Sequence, residues 1–288
     1  MNVVEVEGLI VDYVVSARRR VWRAGAATHR AVSEVSLHLA AGEILGIVGE
    51  SGSGKTSLAR VVAGYQVPTA GTVRIGGEDA AGRRQRGARP RVQMVFQDPF
   101  SSLNPAMTVR QAIREPIAVH RLRPRAEIDQ RVLELVDLVG LDRAMLDVKP
   151  RALSGGQRQR VSIARALALE PEVLVADEPV SALDVSVQAV VLNLLAGLRT
   201  RLDMSILFIS HDMAVVAHLC DRVAVMTEGR IVETGAIDDV FLRPQHPYTR
   251  ELLAAVPPHP WAAAPGNDAF TFGADADHGK DTSHASRH

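Results

Sequence analysis

Leu153-Ser154-Gly155-Gly156-Gln157-Arg158-Gln159-Arg160 reads as a Gly-Gly turn that opens a helix. Upstream of it stands Gly49-Glu50-Ser51-Gly52-Ser53-Gly54-Lys55-Thr56, which has the spacing of a phosphate-binding loop. That loop by itself says only that a nucleoside triphosphate binds, and many unrelated machines do that. A second glycine turn at a helix N-terminus offers a further set of backbone N–H groups to phosphate. The pair, in this order, restricts the fold far more than either part alone.

The loop lies where its mechanism requires, straight after the apolar run Ile44–Val48 and before a helical stretch at 57–63. Gly49, Gly52 and Gly54, with Ser51 and Ser53 between them, let the backbone point its N–H groups at phosphate oxygens. Lys55 is expected to reach the β- and γ-phosphates, Thr56 to ligate Mg²⁺ and Ser57 to meet the α-phosphate. The chain has only three lysines, Lys55, Lys149 and Lys280, and otherwise uses arginine. A lysine kept inside the loop suggests that a compact ammonium is needed there, not a planar fork.

Val173-Leu174-Val175-Ala176-Asp177-Glu178 is an apolar run ending in two acids. Carboxylates at the end of a buried strand are costly unless something uses them. Asp177 fits a Mg²⁺ shell, and Glu178 fits a group that orients and deprotonates an attacking water.

Runs at 44–48, 92–96, 173–176 and 206–209 are continuously apolar, each followed by a helical pattern. Such runs predict parallel strands covered on both faces, hence an α/β domain with its phosphate chemistry at the strands' carboxyl ends. From 100 to about 157 the pattern is helical, as at 127–139, and is interrupted by Pro105, Pro116, Pro124 and Pro150. Residues 222–226 and 230–233, joined through Glu228-Gly229, predict a closing hairpin.

Composition narrows the classes further. Thirty-three basic and 33 acidic side chains in 288 residues give zero formal net charge, which lends no support to nucleic acid as a partner. The single cysteine, Cys220, rules out an internal disulfide and reads as a small buried side chain. No uncharged apolar stretch is long enough to span a bilayer, and the alternating acidic N-terminus is unlike a signal peptide. The expectation is a soluble, cytosolic chain whose membrane role, if any, comes through a separate subunit.

With these motifs in place, the chain resembles the ATP-binding cassette (ABC) ATPases. The resemblance implies a P-loop NTPase cassette with a RecA-like core, an antiparallel β subdomain and an inserted helical subdomain. It adds Gln97 as the glutamine that senses the γ-phosphate, joins the metal shell and faces the membrane subunit. His211 becomes the switch histidine at the γ-phosphate, and Tyr13 the aromatic that stacks on adenine. Ser181-Ala182-Leu183-Asp184 matches the loop that crosses the dimer interface, bringing Asp184 to the nucleotide. Ser154, Gly155, Gly156 and Gln157 would complete the ATP site of a partner cassette. No required residue is replaced, so the resemblance implies a hydrolytic site with Glu178, His211, Gln97 and Lys55 as its catalytic group.

Three stretches resemble the dipeptide, oligopeptide and nickel importer branch: residues 96–105, residues 180–188 and Arg243-Pro244-Gln245-His246-Pro247-Tyr248-Thr249. They imply a cassette over 1–235, with its helical part at about 100–157, and a C-terminal extension over 236–260. Residues 261–288, poor in apolar side chains, are expected to be disordered. The branch implies two membrane permease subunits, a second ATPase subunit (a homologue or a second copy) and an extracytoplasmic solute-binding protein acting indirectly. It places the chain on the cytoplasmic face of the cell membrane as a peripheral ATPase. The solute would be a peptide, with nickel or glutathione as alternatives. No iron–sulfur cluster is expected, because the extension has no cysteine cluster.

Two rival classes are less consistent with the sequence. A DNA-repair or translation ATPase would carry a second cassette or a heptad region, and a GTP switch would carry an Asn-Lys-x-Asp motif. The His-Pro-Tyr run reads chemically as a rigid turn. The arginines at 18–20, 23 and 30, and at 83, 84, 86, 89 and 91, read as a solvated face, with contact to lipid headgroups or a partner as the alternative. Asp275, Asp277, His278 and His284 lack the spacing of a folded metal site.

Overall fold

A computed structural model describes residues 1–15, 27–80, 90–98 and 102–255. The expectations for Arg18, Arg19, Arg20, Arg23, Arg83, Arg84, Arg86, Arg89, residues 99–101 and the tail from 261 lie outside the described residues.

In chain order the strands are β1 (Asn2–Val15), β2 (Ala27–Ala40), β3 (Ile44–Val48), β4 (Ala70–Ile75), β5 (Glu78–Asp79), β6 (Val92–Val95), β7 (Val173–Asp177), β8 (Ser205–Ile209), β9 (Arg222–Thr227) and β10 (Arg230–Ala236). The helices are α1 (Lys55–Val62), α2 (Val109–Val119), α3 (Ile128–Leu138), α4 (Gly155–Leu167), α5 (Val185–Leu202), α6 (Met213–Leu219), α7 (Ile237–Leu242) and α8 (Pro247–Ala254).

The main sheet has the order β10-β9-β3-β8-β7-β6. β9, β3, β8, β7 and β6 run parallel, and β10 returns antiparallel along β9. Every residue of β3, β7 and β8 is buried, which is why these strands read as unbroken apolar runs. The β9–β10 turn puts Glu228 and Gly229 at φ 48° and 76°, the two left-handed residues that a tight hairpin turn requires.

A second, antiparallel sheet has the order β2-β1-β4-β5. Along β1, Val4, Val6, Leu9 and Val11 are buried. Strict alternation breaks between Val6 and Leu9, where the register shifts around Gly8 at φ 57°. This bulge returns the later apolar residues to the core face. Ser33 N–H on β2 donates to the Gly229 carbonyl (2.8 Å), and Gly229 N–H donates to the Ser53 carbonyl (3.0 Å). The hairpin turn thus joins the antiparallel sheet to the phosphate loop. Arg91 makes another bridge, donating to the Ile75 carbonyl (3.1 Å) and pairing with Glu172.

Between β6 and α4 the described residues form α2, α3 and two short 3-10 turns, Arg143–Asp147 and Pro150–Ala152. α2 starts with a reciprocal cap, Thr108 accepting from Gln111 N–H and Gln111 from Thr108 N–H. Pro116, expected to interrupt the helical pattern, lies inside α2. It lacks only its own N–H, and its carbonyl still accepts from His120 N–H (3.1 Å), so the last turn closes past it. Cys220 is buried against β3, and burial pushes its thiol pKa up, in keeping with a packing role.

Candidate functional site

The carboxyl ends of β3, β7 and β8 gather the polar groups. After β3 the chain turns at Gly49, where a Cβ would lie 1.9 Å from the Met226 carbonyl oxygen. At Gly54, φ 103°, a Cβ would lie 2.2 Å from the carbonyl oxygen of Ala31. The loop is therefore pressed between β9 and β2 at positions only glycine can occupy. Lys55, 5% exposed, folds its ammonium back onto the loop. Its Nζ donates to the carbonyls of Gly49 (2.7 Å) and Glu50 (2.6 Å) and to Ser53 Oγ (3.2 Å). Burial lowers its pKa, with Glu178, Asp177 and Glu50 acting in the opposite direction. A phosphate would replace neutral acceptors with charged ones.

Thr56 Oγ1 donates to Asp177 Oδ1 at 3.2 Å. Asp177 ends β7 almost fully buried, and burial raises its pKa against the pull of Thr56, Arg60 and Lys55. A hydroxyl beside a buried carboxylate is a hard oxygen donor pair, which fits Mg²⁺.

Glu178 follows with φ 46°, and its N–H donates to the Ile209 carbonyl (3.0 Å), tying the end of β7 to that of β8. A non-glycine residue in this region costs about 1–2 kcal/mol, so the neighbouring structure must hold it there. Its carboxylate sits between two partners. Gln97 Nε2 donates to Oε2 (2.8 Å), and His211 Nδ1 lies 3.3 Å from Oε1. Gln97 and His211 are exposed, whereas the Glu178 side chain is 18% exposed. The carboxylate therefore sits just inside the mouth of the site.

Tyr13 lies half-buried beside the first turn of α1. Its hydroxyl donates to Gln66 Oε1 (2.7 Å), which leaves the Ser57 hydroxyl, 3.0 Å away, to donate to it.

The 154–157 segment forms a second group. Ser154 is exposed and caps α4: its Oγ accepts from Gln157 N–H (3.3 Å), and Gln157 Oε1 accepts from Ser154 N–H (2.8 Å). A Cβ on Gly156 would lie 2.2 Å from Val187 Cγ1, and one on Gly155 3.1 Å from Leu183 Cδ2. These glycines pack against the start of α5, which Asp184 caps by accepting from Val187 N–H (3.0 Å) and Ser186 Oγ (2.7 Å). Those bonds hold the Asp184 carboxyl below its usual range. Between the two groups stands Ser181, whose hydroxyl donates to the Glu178 carbonyl (3.2 Å).

The structure thus brings Lys55, Thr56, Asp177, Glu178, Gln97 and His211 together, with Tyr13 and Ser57 at one flank. Ser154, Gly155, Gly156, Gln157 and Asp184 assemble separately. Sequence reasoning missed Gln66, which no motif marks. It also missed the reach of Tyr248, whose oxygen accepts from the Glu50 N–H at 3.0 Å.

β3, the glycine loop and α1 in succession, with paired acids closing a neighbouring parallel strand, occur together in P-loop nucleoside triphosphatases. Residues 32–181 match the family described as ABC transporter. The oligopeptide transport ATP-binding protein OppF of Escherichia coli (strain K12) is 48% identical over 234 residues, which is 80% of this chain and 70% of that protein. Among solved structures, cbiO1 of Clostridium perfringens, part of the ABC transporter complex cbiONQ, superposes with a TM-score of 0.71 at 28% identity. That match covers 84% of this chain and 91% of cbiO1. The ATP-binding cassette MJ0796, solved as a dimer in a post-hydrolysis state bound to ADP and Pi, gives 0.69 at 26% identity, covering 81% and 98%. The chain belongs to the ABC transporter family and is an ATPase.

Proposed function

We propose that the chain is the ATP-hydrolysing subunit of an importer that carries di- or oligopeptides across the cytoplasmic membrane. The observation that carries the ATPase chemistry is Glu178, suspended between Gln97 and His211 at the end of β7, next to the phosphate loop. The peptide cargo is supported by similarity to a protein named for oligopeptide transport.

In this reading the triphosphate of ATP lies along residues 49–57. Thr56 and Asp177 would hold Mg²⁺, which when bound offsets charge on the β- and γ-phosphates. Lys55 exchanges its loop carbonyls for phosphate oxygens, and Ser57 turns from Tyr13 towards the α-phosphate. Glu178 takes a proton from the attacking water while Gln97 and His211 meet the γ-phosphate. The bond from the γ-phosphorus to the bridging oxygen breaks, leaving ADP and phosphate. Most of the acceleration comes from positioning and electrostatic stabilisation.

The exposed Ser154, with the N–H groups of Gly155 and Gly156 behind it, completes the ATP site of a second cassette, and Asp184 crosses with it. The cassette occupies 1–235, with its helical part at 100–157, the extension spans 236–260 and the tail follows. Two permease subunits at the cytoplasmic face receive the motion through the Gln97 region, and an extracytoplasmic binding protein supplies the solute. No described helix is long and apolar enough to cross a membrane, in keeping with a peripheral subunit.

Glu178→Gln in the assembled transporter should lower ATPase by about 10²–10⁴-fold, the usual worth of a positioned base, while ATP still binds. Near-normal turnover would remove Glu178 from that role. Mass spectrometry of the solute retained by the transporter's binding protein tests the cargo, and a metal chelate found there would overturn the peptide reading.

A further inference from the structure

The His-Pro-Tyr run reaches the nucleotide site directly. Tyr248 and Glu50 are 198 positions apart in the chain, yet the Glu50 N–H donates to the phenol oxygen at 3.0 Å. The carbonyl of the same residue accepts from Lys55 Nζ at 2.6 Å. The backbone of one exposed residue therefore stands between the extension on one side and the loop lysine on the other.

The phenol is held without help from the loop. Pro247 opens α8 with its φ fixed, and His246 Nδ1 accepts from Tyr248 N–H (3.2 Å). Glu233 on β10 accepts from Gln245 N–H (2.8 Å) and His246 N–H (3.0 Å). Burial works against ionisation of Glu233, but the hydrogen bonds it accepts, these two among them, hold its pKa below the usual range. Arg250 closes the turn by donating to the carbonyls of Pro244 and Gln245, each at 3.1 Å.

We infer that Tyr248 is a positioning residue of the nucleotide site. Through it, the C-terminal extension fixes the Glu50 peptide and, with it, the resting place of Lys55. Gly49 and Gly54 are confined by β9 and β2, but Gly52 has open space around it, and ordering that part of the loop during binding weakens affinity. The contact with Tyr248 removes part of that ordering from the binding step. By linkage, a bound nucleotide steadies the extension by the same factor.

The inference rests on residues 49–57 being the triphosphate site, so the test separates the two. The full-length chain is titrated with Mg²⁺ and the fluorescent analogue mant-ATP, and exchange of the Glu50 amide is followed by NMR. Lys55→Ala examines the site itself: undiminished binding there would remove the triphosphate reading, whatever Tyr248 does. Tyr248→Phe keeps the ring and loses only the hydroxyl. It should weaken analogue binding about 2- to 10-fold, the span expected for one hydrogen bond, and speed Glu50 exchange at an unchanged urea midpoint. Glu233→Gln, which loosens the support from behind, should move both readouts the same way by less. Wild-type affinity in Tyr248→Phe, unaltered Glu50 exchange, or a loss of affinity matched by a fall in the urea midpoint would each overturn the inference.

Discussion

Asp177 carries a charge that burial makes costly to the fold. Burial raises its pKa above the ordinary 3.8, so just above 3.8 the folded chain holds a proton that the unfolded chain has lost. Stability from this group therefore falls as pH rises through that window. Asp177→Asn should raise the urea midpoint, with the gain absent in strong acid and growing as pH climbs out of it. The same variant should lower Mg²⁺-dependent ATP hydrolysis by about 100-fold or more, because a neutral amide is a poor substitute for a charge-stabilising carboxylate. A urea midpoint equal to wild type at neutral pH would show that the buried charge is already compensated. Lys55 repeats the pattern with opposite sign: burial disfavours its charged form, and a phosphate is what would restore it. Both residues were legible from their motifs. Their energetic cost was not, because it depends on burial created by strands distant in the chain.

At the scale of elements, the approach of α4 to α5 is set by a missing methyl group. A Cβ at Gly156 would collide with Val187, so Gly156→Ala should cost about 1–3 kcal/mol, read as a lowered Tm. Adding Val187→Ala should recover most of that loss, and a double variant as unstable as the single one would rule out this contact as the cause. The cap at Ser154 is a separate contribution. Ser154→Ala should cost about 1 kcal/mol of stability. Local patterns found β3, β6, β7, β8 and the β9–β10 hairpin because each is a short run whose burial shows in its own residues. They marked neither β1 nor β2 as a strand; in β1 the bulge at Gly8 breaks the alternation that would mark a long one. They overstated Pro116, because a single missing N–H near the end of α2 leaves the following bonds intact.

Across the whole molecule, the phosphate loop is approached by β9 at Gly49, by β2 at Gly54, by the β9–β10 turn at Ser53 and by α8 through Tyr248. Two truncations separate these supports. Ending the chain after residue 256 keeps every described element and should leave mant-ATP affinity unchanged. Ending it after residue 243 removes α8 and should weaken affinity at least as much as Tyr248→Phe. Equal affinity in the two truncations would place the support elsewhere. The sequence showed the loop and the His-Pro-Tyr run separately. A hydrogen bond spanning 198 positions leaves no periodicity or spacing to read, which is why the run looked like a turn and nothing more.

The contact at Gly229 is of another kind. Both its bonds, to Ser53 and from Ser33, use main-chain atoms, so they have no side chain to lose. Neighbouring residues can drift, and hybrids between related subunits can be spliced anywhere between the loop and the hairpin, without severing it, provided the glycine turn remains. The tie through Tyr248 has no such immunity, since a single nucleotide change can erase a phenol. In a lineage of diverging subunits, the first joint would be inherited by all, and the second would record which of them still need their C-terminal extension to hold the loop.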